Sequence, residues 1–201
     1  MRKAILCVLM ITLTLTACGG SGEGRGAEEL ALSVRGEFLA APSCAGTASV
    51  TADYGRRVYR YEMTFTWSAE ETVLSLTAPD TVAGLTARLS GESDSQLEYG
   101  GAVLETGPLD DAGLTPLGAV PAVLDALRGG YLDTCTLEEN EAGRLLHLLS
   151  RDPEEQPGQG RETELWIDPG TRLPVRAEIS QDGFRVILCE FSSFSREGPS
   201  T

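Results

Sequence analysis

Few side chains in this sequence have the types and spacing that catalysis or metal binding requires. His147 is the only histidine, and it lies in a run of leucines that is typical of a strand. The adjacent acids Asp110-Asp111 and Glu154-Glu155 stand beside glycine or proline, which is typical of solvated loops. No GxSxG, HExxH, P-loop or EF-hand pattern occurs. We therefore expect no catalytic residues, no cofactor and no enzyme.

The N-terminus has the pattern of an export signal. Arg2 and Lys3 precede an apolar run, residues 4–13, that is too short to span a bilayer as a mature helix. The segment 15–18, LTAC, resembles a lipobox, in which the cysteine is acylated with palmitate-type chains and becomes the new N-terminus. We expect a signal peptide at residues 1–17 and a lipid anchor on Cys18 at the extracytoplasmic side of the cell membrane. A flexible Gly/Ser-rich tether is expected at residues 18–26.

The charge balance limits the partners. The whole chain carries a net charge of −14, and loss of the two basic residues Arg2 and Lys3 with the signal gives −16. A surface this acidic disfavours binding to nucleic acid or to anionic lipid through electrostatics. We expect membrane attachment through the lipid anchor and no nucleic-acid partner.

Three cysteines remain in the expected domain, because Cys7 leaves with the signal and Cys18 takes the lipid. Cys44, Cys135 and Cys189 can form at most one disulfide within the chain, and one thiol would be left over. They could equally be small buried apolar residues, and spacing names no pairing. A zinc site is not expected, since the sequence has no CxxC pair and a single histidine.

One segment, residues 57–68, has the most informative pattern in the chain. Its odd positions from 59 to 67 are all aromatic or methionine, whereas its even positions from 60 to 68 are polar. This alternation predicts a long antiparallel strand with one face toward an apolar interior. Together with Phe38 of the preceding helix, that face could line a hydrophobic-ligand site or could simply be core. Its residues are Tyr59, Tyr61, Met63, Phe65 and Trp67.

The rest of the chain predicts one domain of helices and short strands. Amphipathic spacing predicts a helix at residues 27–41, which Pro42 ends. Pro116 and Pro121 argue against a continuous helix in mid-chain, so we expect only a short helix at about residues 121–128. The remaining alternating segments predict ten or eleven strands in meander order. Residues 27–195 are expected to form the domain, and residues 196–201 a C-terminal tail.

The order of these segments resembles the LolA-like lipoprotein-carrier superfamily. The resemblance covers roughly residues 28–194 and is strongest at Trp166, Asp168, Pro174 and the closing segment 191–194. It implies an α+β fold in which a strongly curved antiparallel sheet, an unclosed half-barrel, is covered by an N-terminal and a mid-chain helix. In this fold the hairpin at residues 164–179 is architecture, and Asp168 is expected to brace its own turn.

Two roles follow from the resemblance. The segment 105–117 and the three cysteines are most similar to GerS-like lipoproteins of clostridial type, which implies sporulation or germination and an anchored scaffold that supports a cell-wall amidase. LolA-like carriers imply instead that the concave apolar face binds a lipid or a lipoprotein acyl chain. The sequence favours the protein-binding role slightly, because an anchored chain differs from a soluble shuttle.

Overall fold

The computed structural model describes residues 21–90, 94–107, 113–140 and 143–198. The predicted signal peptide, Cys18 and the pair Asp110-Asp111 lie outside these residues. Two helices pack against one large sheet, α1 (Ser21–Ala40) and α2 (Pro116–Gly129). No described helix combines the length and apolar character needed to cross a membrane.

Eleven antiparallel strands form a single open sheet. Its order is β6-β5-β4-β3-β2-β1-β11-β10-β9-β8-β7, so the first and last strands pair at its centre. The edges are β6 and β7, and the segment that joins them contains α2. The strands are β1 (Ser43–Asp53), β2 (Val58–Ser68), β3 (Thr72–Ala78), β4 (Thr86–Ser90), β5 (Asp94–Tyr99), β6 (Ala102–Glu105), β7 (Leu132–Asn140), β8 (Gly143–Arg151), β9 (Arg161–Ile167), β10 (Pro174–Gln181) and β11 (Phe184–Arg196).

The predicted class of fold, a large open antiparallel sheet with two helices, is confirmed. Two boundaries were wrong. α1 begins at Ser21 rather than Ala27, so residues 21–26 of the predicted tether are helical. From residue 24 onward, where burial is described, Ala27 is the first residue of α1 that is buried in the core. β11 continues to Arg196, the first residue of the predicted tail.

The mid-chain helix is longer than expected, because neither proline breaks it. Pro116 is at the start of α2, where its missing N–H has no intrahelical acceptor, and the Thr115 side chain caps the turn by accepting from Gly118 N at 3.2 Å. Pro121 costs one helical hydrogen bond. Burial of Val120, Leu124 and their neighbours in the core offsets that cost.

Each helix is capped by an arginine from the other. Arg35 of α1 donates to the carbonyls of Leu127, Ala126 and Gly130 at the end of α2, at 3.2, 3.2 and 2.6 Å. Arg128 of α2 donates to Phe38 O near the end of α1, at 2.5 Å. Guanidinium groups near helix C-termini satisfy orphan carbonyls and favour the helix dipole. The crossing of the two helices is therefore fixed by charge as well as by packing.

Candidate functional site

The apolar face of β2 divides into a buried half and a rim half. Met63 and Phe65 are fully buried, as is Phe38 of α1, which faces them. Tyr61 and Trp67 are half-buried, and Tyr59 is 37% exposed. Toward the end of the sheet, the rings of Tyr59 and Tyr61 stack with centroids 6.4 Å apart. The Tyr54 ring is tilted against that of Tyr59, with centroids 6.2 Å apart. The structure thus brings the predicted ligand-binding residues onto one face, but three of them are enclosed.

Phenylalanine rings fill the space above the buried half. Phe65 meets Phe194 and Phe191 edge-on, with ring centroids 5.3 and 6.1 Å apart. Phe38 meets Phe194 in the same manner at 5.9 Å. Gly46 lies beneath the Phe65 ring, where a Cβ would come within 2.8 Å of ring carbons. This region is close-packed core, which we call the phenylalanine core (Phe38, Phe65, Phe191, Phe194).

An open cleft of about 980 Å³ lies beside α2, between that helix and the ends of β8 and β9 with the loop 152–160. The face of α2 that lines it consists of small residues at helical spacing together with two charged residues. The small residues are Gly118, Pro121, Ala122, Ala126 and Gly129, and the charged ones are Asp125 and Arg128. Small side chains leave a channel along the helix, which we call the α2 cleft. The sequence analysis did not predict this cleft, although the small residues of α2 recur in the sequence at intervals of three and four positions.

Charged groups surround the α2 cleft. Asp125 lines it, and burial raises the pKa of this carboxyl against the opposing charges of Arg128 and Arg161. Arg151 is held by Asp133 at 2.7 Å and by the backbone of the loop at Glu155. Both signs of charge therefore lie beside a channel of small residues, which suits an amphiphile better than a pure hydrocarbon.

Arg128 connects the cleft with the predicted face of β2. Its guanidinium lies over the Trp67 ring, 4.2 Å from the centroid, while it caps α1. Trp67 therefore contacts an arginine that lines the α2 cleft.

The three cysteines are free in the structure. Cys44 is opposite Arg196, and Cys189 is opposite Val50, so these two lie six residues apart along paired strands. At about 3.3 Å per residue this offset is near 20 Å, far beyond the 7 Å limit for a disulfide. Cys135 is on β7, four strands from β11. Burial raises the pKa of the Cys189 thiol to about 12.

A second polar cluster lies on the opposite face of the sheet. His147 bonds Glu138 through Nδ1 at 2.7 Å and Glu164 through Nε2 at 2.8 Å. Its ring stacks on Trp166 with centroids 4.6 Å apart, and the Arg176 guanidinium lies over the Trp166 ring, 5.2 Å from the centroid. Burial acts to lower the pKa of His147, but hydrogen bonds and charge from both glutamates outweigh it, so the pKa is raised. We call this group the histidine cluster.

The turn of the hairpin at residues 164–179 has the structure that the resemblance implies. Asp168 Oδ1 accepts from Gly170 N at 2.7 Å and from Thr171 N at 2.8 Å. Backbone hydrogen bonds from Thr171 and Gly170 lower the pKa of this carboxyl. Asp168 braces its own turn, and that prediction is confirmed.

Known structures share this fold at low sequence identity. A domain named for outer membrane lipoprotein sorting, from Vibrio parahaemolyticus, aligns with a TM-score of 0.50 and 11% identity over 87% of this chain and 93% of that one. A DUF1329 family protein from Desulfovibrio piger aligns with a TM-score of 0.50 and 10% identity, over 89% of this chain and 95% of that one. An uncharacterized conserved protein from Thermus thermophilus aligns with a TM-score of 0.50 and 12% identity, over 87% of this chain and 90% of that one.

The chain therefore shares its fold with these structures, one of which is named as a lipoprotein-sorting domain, as the resemblance predicted. No protein-family profile and no curated protein matches the chain. The GerS-like type therefore remains a prediction from sequence.

Proposed function

We propose that this chain is a lipid-anchored, non-enzymatic binding protein of the cell envelope, and that it holds an amphiphilic ligand with an acyl chain in the α2 cleft. The observation that carries the proposal is the open cleft of about 980 Å³ along the small-residue face of α2. Its size is at the upper end of the range for small-molecule sites, roughly 300–1,000 Å³. The fold shared with a lipoprotein-sorting domain supports the same class of ligand.

The chemistry of the lining fits such a ligand. The apolar part is formed by Leu39, Pro121 and Ala122, against which hydrocarbon can lie. Arg128 and Arg161 provide positive charge for a polar head, and Asp125 opposes it. Burial of hydrocarbon supplies the affinity, at about 25 cal/mol per Å². The charged groups supply orientation.

A matched pair of glycine substitutions tests the proposal. Gly129 lines the cleft, Gly36 is exposed on α1, and a Cβ at either position meets nothing within 4 Å. Gly129→Leu should block the channel and weaken binding of a fluorescent C18 fatty acid at least tenfold, whereas Gly36→Leu should leave it unchanged. Mass spectrometry of lipids extracted from the purified protein should show the same ranking. Equal fatty-acid binding by the two variants would show that the ligand does not bind in the α2 cleft.

A protein partner is the second candidate, favoured by the exposed edge strand β6. Val103 and Leu104 are both 61% exposed there, and an unpaired edge can accept a strand from another chain. The GerS-like resemblance names a cell-wall amidase as that partner. If this role is correct, Leu104→Asp should reduce co-purification of the amidase with the membrane-bound protein, and fatty-acid binding should not change.

A further inference from the structure

The charges that line the α2 cleft are balanced, although the whole chain carries a net charge of −14. A purely anionic head group would meet carboxylates there, and a purely cationic one would meet guanidinium groups. A head group that carries both charges avoids both penalties if each of its charges finds a partner of opposite sign. The charged lining residues are Asp125, Arg128, Arg151, Asp152, Glu155 and Arg161.

Two of these side chains hold the loop beside the cleft. Arg151 pairs with Asp133 at 2.7 Å and donates to the backbone carbonyl of Glu155. Asp152 accepts from Glu154 N through Oδ1 at 2.9 Å, which braces the first turn of the loop. Because these polar atoms serve the fold of the loop, we do not assign them to a ligand.

Asp125 of α2 is placed differently. Its side chain is exposed and lines the cleft. Within the described parts of the chain, its carboxylate takes part in no hydrogen bond and no ion pair. Arg128 and Arg161 act on it through their charge alone, and burial outweighs both, so the pKa of Asp125 is raised. A ligand cation would give this carboxylate the direct partner that it lacks.

The contacts of Arg128 explain why Asp125 is unpaired. Residues three positions apart on a helix have Cβ atoms about 5–6 Å apart, and opposite charges at this spacing attract. Arg128 instead donates to Phe38 O at 2.5 Å, and its guanidinium lies 4.2 Å from the centroid of the Trp67 ring. A guanidinium has several further N–H donors that can serve an anion. Along the cleft, α2 thus presents two opposite charges that do not neutralise each other.

The end of α2 favours a cation beside Asp125. The helix ends at Gly129, and Gly130 N donates to Asp125 O at 3.2 Å. The negative end of a helix dipole disfavours a carboxylate and favours a cation. Tyr131 also lines the cleft, and an aromatic ring is a further partner for an ammonium group.

We infer that the α2 cleft selects an amphiphile with a zwitterionic phospholipid head, whose ammonium group pairs with Asp125 and whose phosphate pairs with Arg128. This inference rests on the proposed function, because it names the head group of the amphiphile proposed there. Guanidinium groups match the geometry of phosphate, and an ethanolamine phosphate joins the two charges through a short link. The acyl chain then lies along the small residues of α2.

Two lysolipids with the same C18 acyl chain test the head group. A fluorescent C18 fatty acid is bound to the purified protein and displaced by lysophosphatidylethanolamine or by lysophosphatidylglycerol, which share the phosphate but differ in the ammonium group. We expect the ethanolamine lipid to act at about tenfold lower concentration, since a hydrogen bond with a charged partner is worth about this factor. Asp125→Asn should abolish the preference, whereas Glu29→Gln, at an exposed position of α1, should keep it. Equal displacement by the two lipids, or an unchanged preference in Asp125→Asn, would overturn the inference.

A second comparison separates pairing with the ligand from a structural role of Asp125. Octadecylamine and octadecanoic acid each carry one of the two charges. Asp125→Asn should weaken binding of the amine about tenfold without weakening binding of the acid. Equal weakening of both would mean that Asp125 only supports the fold of the cleft, and it would reject the inference.

Gly129→Leu distinguishes failure of the inference from failure of the proposed function. If this variant weakens binding of neither lysolipid, the cleft is not the site, and both proposals are wrong. If it weakens binding of both lysolipids while the unsubstituted protein does not discriminate between them, the cleft holds an amphiphile and only the zwitterionic head is wrong.

Discussion

The phenylalanine core and the α2 cleft are built against the same sheet by the two helices, yet one is filled and the other is open. In the core, rings from α1, β2 and β11 meet at centroid distances of 5.3 to 6.1 Å. Along the cleft, α2 presents glycine, alanine and proline beside Asp125 and Arg128, and the space between the helix and the sheet stays open. The difference teaches that side-chain size on the two helices, rather than the sheet, decides where a ligand can enter.

The strongest test of this contrast is Phe65→Ala. Emptying a buried aromatic site typically costs about 3–5 kcal/mol of unfolding free energy, and Phe65 is 2% exposed. Urea unfolding measures the loss. Tyr59→Ala on the same strand, at a rim position that is 37% exposed, is the matched control and should cost under about 1 kcal/mol. Fatty-acid affinity of the folded Phe65→Ala protein should stay within twofold, and its loss would mean that the core is a ligand site.

Arg35→Met should have the next largest effect. Arg35 lies on α1, which contributes Phe38 to the phenylalanine core, and it contacts the end of α2, which forms one wall of the cleft. The change keeps the aliphatic volume of the side chain but removes the charged donor from three carbonyls at the end of α2, although Ala126 O still accepts from Gly130 N. Hydrogen bonds from a charged donor contribute about 1.5–3 kcal/mol, so we expect a loss of about 2 kcal/mol in unfolding free energy. Unlike Phe65→Ala, this variant should also bind fatty acid more weakly, since α2 forms one wall of the cleft. Unchanged binding would show that the cleft does not depend on the cap.

The contrast also explains what sequence could and could not reveal. Alternation is a local signal, so the face of β2 and the bounds of β3 and β6 were predictable from residues 57–68, 72–78 and 102–105. The pairing of β1 with β11 at the centre of the sheet joins residues nearly 150 positions apart, and no local pattern in the sequence predicts it. The sequence does not decide whether the apolar face of β2 is core or a ligand site. Periodicity shows which residues share a face, but it does not show what covers that face.

The cleft was missed for a related reason. Pro121 predicted a break in the helix. The loss of one helical hydrogen bond does not break it, because burial of apolar side chains on the other side of α2 offsets the cost. The spacing of small residues becomes a channel only after α2 docks beside β8 and β9. The histidine cluster was hidden likewise, because Glu138, His147 and Glu164 come from three neighbouring strands.

The smallest expected effect concerns the histidine cluster, which is polar, lies on the outer face and should be independent of the core and the cleft. The raised pKa of His147 means that its contribution to stability is complete below the ordinary value of 6.5 and is lost as pH rises through the folded-state pKa. The hydrogen bond with His147 lowers the pKa of Glu164 against the effect of burial, so its contribution is complete above 4.5 and is lost on acidification.

The two directions together predict a window between pH 4.5 and pH 6.5 in which the pair stabilises the protein most. We expect unfolding free energy relative to His147→Gln to be greater by about 1 kcal/mol in this window and to fall on either side, because partly exposed pairs contribute little. Urea unfolding of both proteins at pH 5.5 and pH 8.5 measures this, and fatty-acid binding at pH 5.5 should be equal in the two. A constant difference across pH would mean that stacking on Trp166, rather than charge, holds His147 in place, and a change in binding would couple the outer face to the cleft.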